Sequence, residues 1–167
     1  MEITRRYPLG IQTFKEIIEG NYYYVDKTAI IHKMTSTYKF VFLSRPRRFG
    51  KSLLVSTLAS YFRGEKELFK GLAMERLETE WKKYPVIHLS LASVKEIDPE
   101  KIISLLHDLL SEQERRLGIC CKSETLGGRL KNMILSCYEK YGEKVVVILD
   151  EYDAPLLNVL HDEEKLG

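Results

Sequence analysis

Arg45-Pro46-Arg47-Arg48-Phe49-Gly50-Lys51-Ser52 follows the apolar run Phe40-Val41-Phe42-Leu43 and precedes a helical pattern beginning Leu53-Leu54. Strand, tight loop, Gly-Lys-Ser, helix is the layout of a phosphate-binding P-loop. Gly50 lets the backbone approach a phosphate with no Cβ in the way. The N–H groups at the helix start face the anion, and the helix dipole adds favourable potential. Lys51 offers an ammonium to the β- and γ-phosphates, and Ser52 offers a hydroxyl to Mg²⁺. The usual pattern is Gly, four variable residues, then Gly-Lys-Ser/Thr; here Arg45 stands at the first Gly position and Pro46 follows it. Arg45 resists a positive φ and Pro46 has no N–H, so the early loop is expected to wrap the phosphates differently.

Gly-Lys-Ser alone is a weak signal. A second motif strengthens it: Val145-Val146-Val147-Ile148-Leu149-Asp150-Glu151. Five apolar residues, four of them β-branched, predict a buried strand of a parallel sheet. An Asp at the C-terminal end of such a strand lies where open α/β sheets bind ligands. This is the form of a Walker B segment, in which Asp150 holds Mg²⁺ through water and Ser52 binds it from the other side. Glu151 is placed to orient and polarise an attacking water, so the Asp-Glu pair points to hydrolysis rather than transfer. The competing reading is a core strand ending in two solvated acids.

Composition excludes several classes. At 167 residues, 44% hydrophobic and 30% charged, the chain is an ordinary globular domain with enough material for a core. Its 26 basic and 24 acidic residues leave a net charge of +2, too balanced to argue for nucleic acid or a membrane surface. No apolar run approaches the ~20 residues that span a bilayer, and Met1 to Arg6 lack the apolar core of a signal peptide. Cys120, Cys121 and Cys137 form no CxxC pair and are odd in number, which reads as reduced cytoplasmic thiols. The four histidines are scattered, with no metal-ligand spacing.

Along the chain, Phe14 to Glu19 predicts a short helix stopped by Gly20-Asn21, and Tyr22 to Val25 an extended stretch. Asp26 caps a helix holding Ile30, Ile31 and Met34. Lys39 to Ser44 is the first predicted strand. The helix from Lys51 to Phe62 turns Leu54, Leu58, Tyr61 and Phe62 inward, and Gly64 closes it. Residues 65 to 84 read as short helices and turns anchored by Leu68, Phe69, Leu72, Leu77 and Trp81, and Val86 to Leu91 as a second strand. Asp98-Pro99 starts a helix that runs to near Gly118. Leu126 to Tyr141 predicts another, with Leu130, Met133, Ile134, Cys137 and Tyr138 on one side and Gly142 at its end. Helices alternating with buried strands give an α/β fold with a parallel sheet.

Several stretches together resemble the AAA-ATPase-like family of uncharacterised bacterial and archaeal proteins. They are Pro8-Leu9-Gly10-Ile11 with Phe14, Tyr23-Tyr24-Val25-Asp26-Lys27-Thr28, Ser44 to Leu53, Tyr61-Phe62, Leu68 to Leu72, Trp81 with Tyr84-Pro85-Val86-Ile87, and Asp150-Glu151-Tyr152-Asp153-Ala154-Pro155. The likeness covers nearly the whole chain, and the Arg-Pro-Arg-Arg-Phe-Gly-Lys-Ser run carries the family's own departure from the common P-loop. The resemblance implies a P-loop NTPase-like three-layer sandwich with a mainly parallel sheet, ATP and Mg²⁺ as ligands, and an added catalytic Glu. It divides the chain into a family-specific N-terminal segment (1–38) and a partial P-loop core (39–167). Many members carry a C-terminal PD-(D/E)XK nuclease-like domain. This chain ends at Gly167, before that domain, the lid and the sensor strand that in this class lies between the strands ending at Ser44 and Leu149. The expectation is therefore an N-terminal part with an incomplete sheet, whose open edges invite pairing with another chain.

The candidate nucleotide-contacting residues are Arg47, Arg48, Phe49, Gly50, Lys51, Ser52 and Leu53. The metal candidates are Ser52 and Asp150; the catalytic candidates are Lys51, which neutralises charge, and Glu151, which activates water. Arg47 and Arg48 either reach phosphates or stand as solvated loop residues. Phe49 is expected to pack under the loop. Tyr23 to Thr28 lies beside the base or ribose, or forms a helix cap with packed tyrosines; the cap is favoured. Asp153 joins the metal site or caps a turn before Pro155, and the turn is favoured. His88 and the leucines of 102–110 read as core. The primary expectation is a cytoplasmic Mg-ATP-binding, ATP-hydrolysing domain. The alternatives are a nucleotide-binding regulatory module for a nuclease or other partner, with little turnover, or a nucleic-acid-binding module using Arg5, Arg6, Arg45, Arg47 and Arg48. No Asn-Lys-x-Asp guanine-reading motif occurs, the adenine preference comes from the resemblance, and nothing identifies an arginine finger.

Overall fold

A computed structural model describes residues 5–44, 46, 49–92 and 99–151, residues 99 and 100 by backbone alone. Arg45, Arg47, Arg48, Asp98 and Asp153 of the sequence reading lie outside the described residues. The chain divides into two compact units, Met1–Lys83 and Tyr84–Gly167.

The first unit is helical: α1 (Phe14–Glu19), α2 (Thr28–Thr37), α3 (Lys51–Phe62), a 3-10 turn (Lys66–Phe69) and α4 (Ala73–Leu77). α1 buries Phe14 and Ile17, one turn apart, and ends at Gly20, with Asn21 in a left-handed conformation at φ 51°. The core gathers Phe14, Ile31, Leu68, Phe69 and Met74, and α3 adds Leu53, Leu54, Leu58 and Tyr61. Its centre is aromatic: Phe14 lies against Phe69 (4.9 Å) and Tyr24 (5.1 Å), and Phe69 against Trp81 (5.2 Å). Rings at these separations contribute beyond the area they bury. Leu72 and Trp81 anchor the segment as expected. Leu77 does not: it is the last residue of α4, the chain leaves extended at Glu78, and its side chain is half exposed.

The predicted strand Lys39–Ser44 is not formed. Phe40, Val41 and Phe42 are 85, 50 and 73% exposed. Apolar, β-branched composition favours a strand, but a strand exists only within a ladder. Among the described residues the only sheet is β1 (Val86–Ser90) with β2 (Val146–Asp150), both in the second unit.

In that unit the two strands run parallel, in register from Val86↔Val146 to Ser90↔Asp150. α5 (Pro99–Leu117) starts at Pro99, and α6 (Leu126–Tyr141) runs from a Thr125 cap to Gly142 at φ 66°. The core joins Ile87 and Leu89 to Leu110, Leu117, Cys121, Met133 and Cys137, so the leucines of α5 and the apolar side of α6 meet on one face of the sheet. Ile103 and Tyr138 stay out, 49 and 57% exposed. α5 and α6 are clamped by Arg129, whose Nε and Nη2 donate to the Glu114 carboxylate at 2.8 and 2.9 Å, and whose other donors reach Ser111 Oγ and the His107 carbonyl. The Glu114 hydrogen bond holds the Arg129 guanidinium above its ordinary pKa.

The two edges of the sheet differ. β1 turns its outer N–H and C=O groups toward α5. The His88 N–H donates to Gln113 Oε1 (3.1 Å), and Arg116 Nη2 donates to the Val86 carbonyl (2.6 Å). An exposed strand edge is a template for further pairing, and α5 closes this one with side chains. β2, predicted to be buried throughout, is buried only at Ile148 and Asp150; Val147 and Leu149 are 40 and 54% exposed. The helices close over Ile87 and Leu89 and leave their in-register partners Val147 and Leu149 partly open.

Candidate functional site

Gly50 caps α3 at φ 74°, ψ 24°, a left-handed conformation that costs an ordinary residue about 1–2 kcal/mol. A Cβ built there meets nothing within 4 Å, so conformation rather than crowding calls for glycine. The Leu54 N–H makes the first helical bond, to the Gly50 carbonyl (3.0 Å). The N–H groups of Lys51, Ser52 and Leu53 precede it and have no intrahelical acceptor. Among the described residues no side chain caps this end, and no acidic residue stands in the first turn. Lys51 and Ser52 are half-buried there. Such a helix start is ready for an anion.

α3 is held firmly. The Phe14 N–H donates to Ser56 Oγ (2.9 Å), and Thr57 Oγ1 donates to the Leu53 carbonyl (2.8 Å). Leu53 packs into the core, so it offers a ligand its backbone N–H and not its side chain. Phe49 departs from expectation: it is 64% exposed instead of packed under the loop. It precedes the left-handed turn at Gly50, and the core beneath α3 is filled by Leu53, Leu54 and Leu58 from the helix itself.

The Tyr23–Thr28 segment is built as scaffold. Asp26 Oδ1 accepts from the Thr28 N–H (2.8 Å) and Thr28 Oγ1 (2.7 Å), and Oδ2 accepts from the Ala73 N–H (2.7 Å). Thr28 Oγ1 in turn accepts from the Met74 N–H (2.9 Å), inside a fully buried pair. The segment thus ties the start of α2 to the start of α4. Burial pushes the Asp26 carboxyl up, but the Thr28 and Ala73 hydrogen bonds outweigh it and leave the group below its ordinary value. Burial raises the Tyr24 hydroxyl, a Thr57 hydrogen bond opposes this, and the Asp26 charge adds to it.

At the C-terminal end of the sheet, Asp150 is 8% exposed. Its Oδ1 accepts from the Glu151 N–H (3.0 Å), and Glu151 has a left-handed φ of 51°. A non-glycine residue in that region is strained, and such strain clusters at functional positions. No Lys or Arg pairs with Asp150 among the described residues. A buried carboxylate without a counter-charge is costly; a divalent cation would compensate it. No group of three or more His, Cys, Asp or Glu gathers for a metal among the described residues. Oxygen donors and few carboxylates fit Mg²⁺, which keeps waters and leans on substrate phosphates rather than a protein cage.

The structure thus brings Gly50, Lys51 and Ser52 together at one helix start, and Asp150 and Glu151 together at one strand end. It adds Ser90, in register beside Asp150. The sequence showed a polar residue near the end of a strand but not the register that pairs it with the acid.

Helices and a parallel pair of strands make this a mixed α/β chain. Residues 8–166 match the family described as Predicted AAA-ATPase, and the chain belongs to that family. It is 40% identical over 157 residues to an uncharacterized protein in the vnfD 5′ region of Azotobacter chroococcum mcd 1, a match that takes in 93% of this chain. The chain spans about 30% of that relative's length. No solved structure matches. Among the described residues no helix is long and apolar enough to cross a membrane.

Proposed function

We propose that this chain binds Mg-ATP and hydrolyses it, as a P-loop domain of the three-layer kind working in the cytoplasm. The observation that carries the reading is the start of α3, where a left-handed glycine, three N–H groups without helical acceptors and the Lys51 ammonium form an anion seat. The N–H groups hold phosphate oxygens, Lys51 neutralises charge on the outer phosphates, and the Ser52 hydroxyl and Asp150 carboxylate hold the ion's shell. Mg²⁺, when bound, supplies charge compensation on the phosphates. Glu151 accepts the proton of the attacking water. Positioning and charge stabilisation carry most of a phosphoryl transfer. Arg47 and Arg48, just before the seat, are assigned to the same phosphates.

The test measures ATP affinity with and without Mg²⁺, and turnover, for the wild type and three variants. Lys51→Ala abolishes binding. Asp150→Asn removes the Mg²⁺ dependence. Glu151→Gln keeps binding and loses about 10²–10⁴ in rate, the scale of general-base catalysis. Equal ATP binding by the wild type and Lys51→Ala rejects the assignment. A second reading takes the domain as a nucleotide-binding module that regulates a nuclease-like or other partner, with little turnover of its own. Binding without turnover, unaffected by Glu151→Gln, selects that role.

A further inference from the structure

We propose that Ser90 is a positioning residue of the Asp150 site, its hydroxyl orienting a water that the Asp150 carboxylate shares with the bound divalent ion. The inference rests on the reading of Asp150 given above.

Ser90 and Asp150 are the last residues of their strands and lie in register. Side chains at paired positions of a parallel ladder point to the same face, with the strands roughly 4.8 Å apart. The Leu91 N–H donates to the Asp150 carbonyl (3.0 Å), which ties the two strand ends together just past Ser90. α5 and α6 close over the other face, on Ile87 and Leu89; on the Ser90–Asp150 face Val86 and Ile148 are buried too, and Ser90 at its C-terminal end stays half-buried. Both residues stand at the C-terminal ends of parallel strands, where α/β sheets take their ligands.

Ser90 is half-buried, and its hydroxyl makes no hydrogen bond among the described residues. Asp150 is nearly buried, and the hydrogen bond it accepts there is from the Glu151 N–H. A donor and an acceptor on adjacent strands, side by side and not directly bonded, are the two ends of a water bridge. Mg²⁺ keeps several waters in its shell, and groups that orient those waters tune its affinity. Ser90 has the chemistry for this: a hydroxyl accepts from one shell water and donates to the carboxylate or a second water.

The experiment uses the full chain, with Mn²⁺ as the paramagnetic probe and ADP as the nucleotide. Mn²⁺ affinity is read by electron paramagnetic resonance, and ADP affinity in EDTA is measured separately. Ser90→Ala should weaken Mn²⁺ binding about tenfold or more, the scale of outer-shell losses, and leave metal-free ADP affinity unchanged. The isosteric pair Ser90→Thr and Ser90→Val, both suited to a strand, separates hydroxyl from shape: Thr keeps the affinity and Val loses it. If Ser90→Ala and Ser90→Val bind Mn²⁺ like the wild type while Asp150→Asn loses it, the Ser90 inference falls and the Asp150 assignment stands. If Asp150→Asn also binds normally, the Asp150 assignment falls and takes the inference with it.

Discussion

Thr28→Val tests the tie between the start of α2 and the start of α4. Thr28 and Met74 are fully buried, and the Met74 N–H has Thr28 Oγ1 as its acceptor. Valine keeps the shape and removes the oxygen. A buried N–H left without an acceptor costs about 1–3 kcal/mol. Asp26 loses one of three donors, but it is exposed and water replaces that partner at little cost. The methyl that replaces the hydroxyl returns up to about 0.8 kcal/mol. The net expectation is a loss of about 1–2 kcal/mol, or a midpoint lowered by about 10 °C for a unit of this size. Thr28→Ser keeps the oxygen, gives up one methyl and should fall by less. The chain's one tryptophan, Trp81, packs on Phe69 in the same unit, so its fluorescence reports this unfolding. A Thr28→Val protein within about 0.5 kcal/mol of the wild type would refute the reasoning, since that is the ordinary scatter of neutral surface changes. Below its melting range Thr28→Val should bind ATP as the wild type does. A tenfold loss would show that Tyr23–Thr28 contacts nucleotide after all.

Three further outcomes are expected. Asp26 and Glu78 are both held below the ordinary carboxylate range: burial opposes this in each, and hydrogen bonds outweigh it, from Thr28 and Ala73 on Asp26 and from Tyr61 on Glu78. Their stabilisation is therefore present above the unfolded values near pH 4 and is lost as pH falls through the lower folded values. Denaturation followed by Trp81 fluorescence should show the first unit weakening below about pH 4, less steeply in Thr28→Val; identical acid profiles would contradict this. Arg129→Met strands the nearly buried Glu114 carboxylate and should cost about 3–5 kcal/mol, whereas Arg129→Met with Glu114→Met should recover most of it, as read by far-ultraviolet circular dichroism. Leu149 is 54% exposed, so Leu149→Lys should change stability by no more than about 0.5 kcal/mol in thermal denaturation, and a larger loss would show that its side chain is covered.

Helices were legible wherever caps and periodicity agreed. Gly20 and Gly142 end α1 and α6 where the sequence placed the stops, and Pro99 begins α5. Local chemistry decides a cap, so a single sequence carries it. Strands were harder because their partners lie elsewhere. Lys39–Ser44 has strand composition but no place in the β1–β2 sheet, and Val147 and Leu149 look like core residues by composition but are 40 and 54% exposed. The candidate site followed the same division. Gly50, Lys51, Ser52, Asp150 and Glu151 announce their chemistry by type and order. The strain at Glu151 and the pairing of Ser90 with Asp150 come from backbone geometry that no local pattern encodes.

The seal that Gln113 and Arg116 place on β1 bears on how the second unit assembles. The chain makes β1 first, then α5, then α6, and β2 last. A strand has two borders, and a second strand can pair along either. In the folded unit one border is taken by side chains of α5. β2 occupies the border that α5 leaves, so side chains as well as apolar packing define where the second strand belongs.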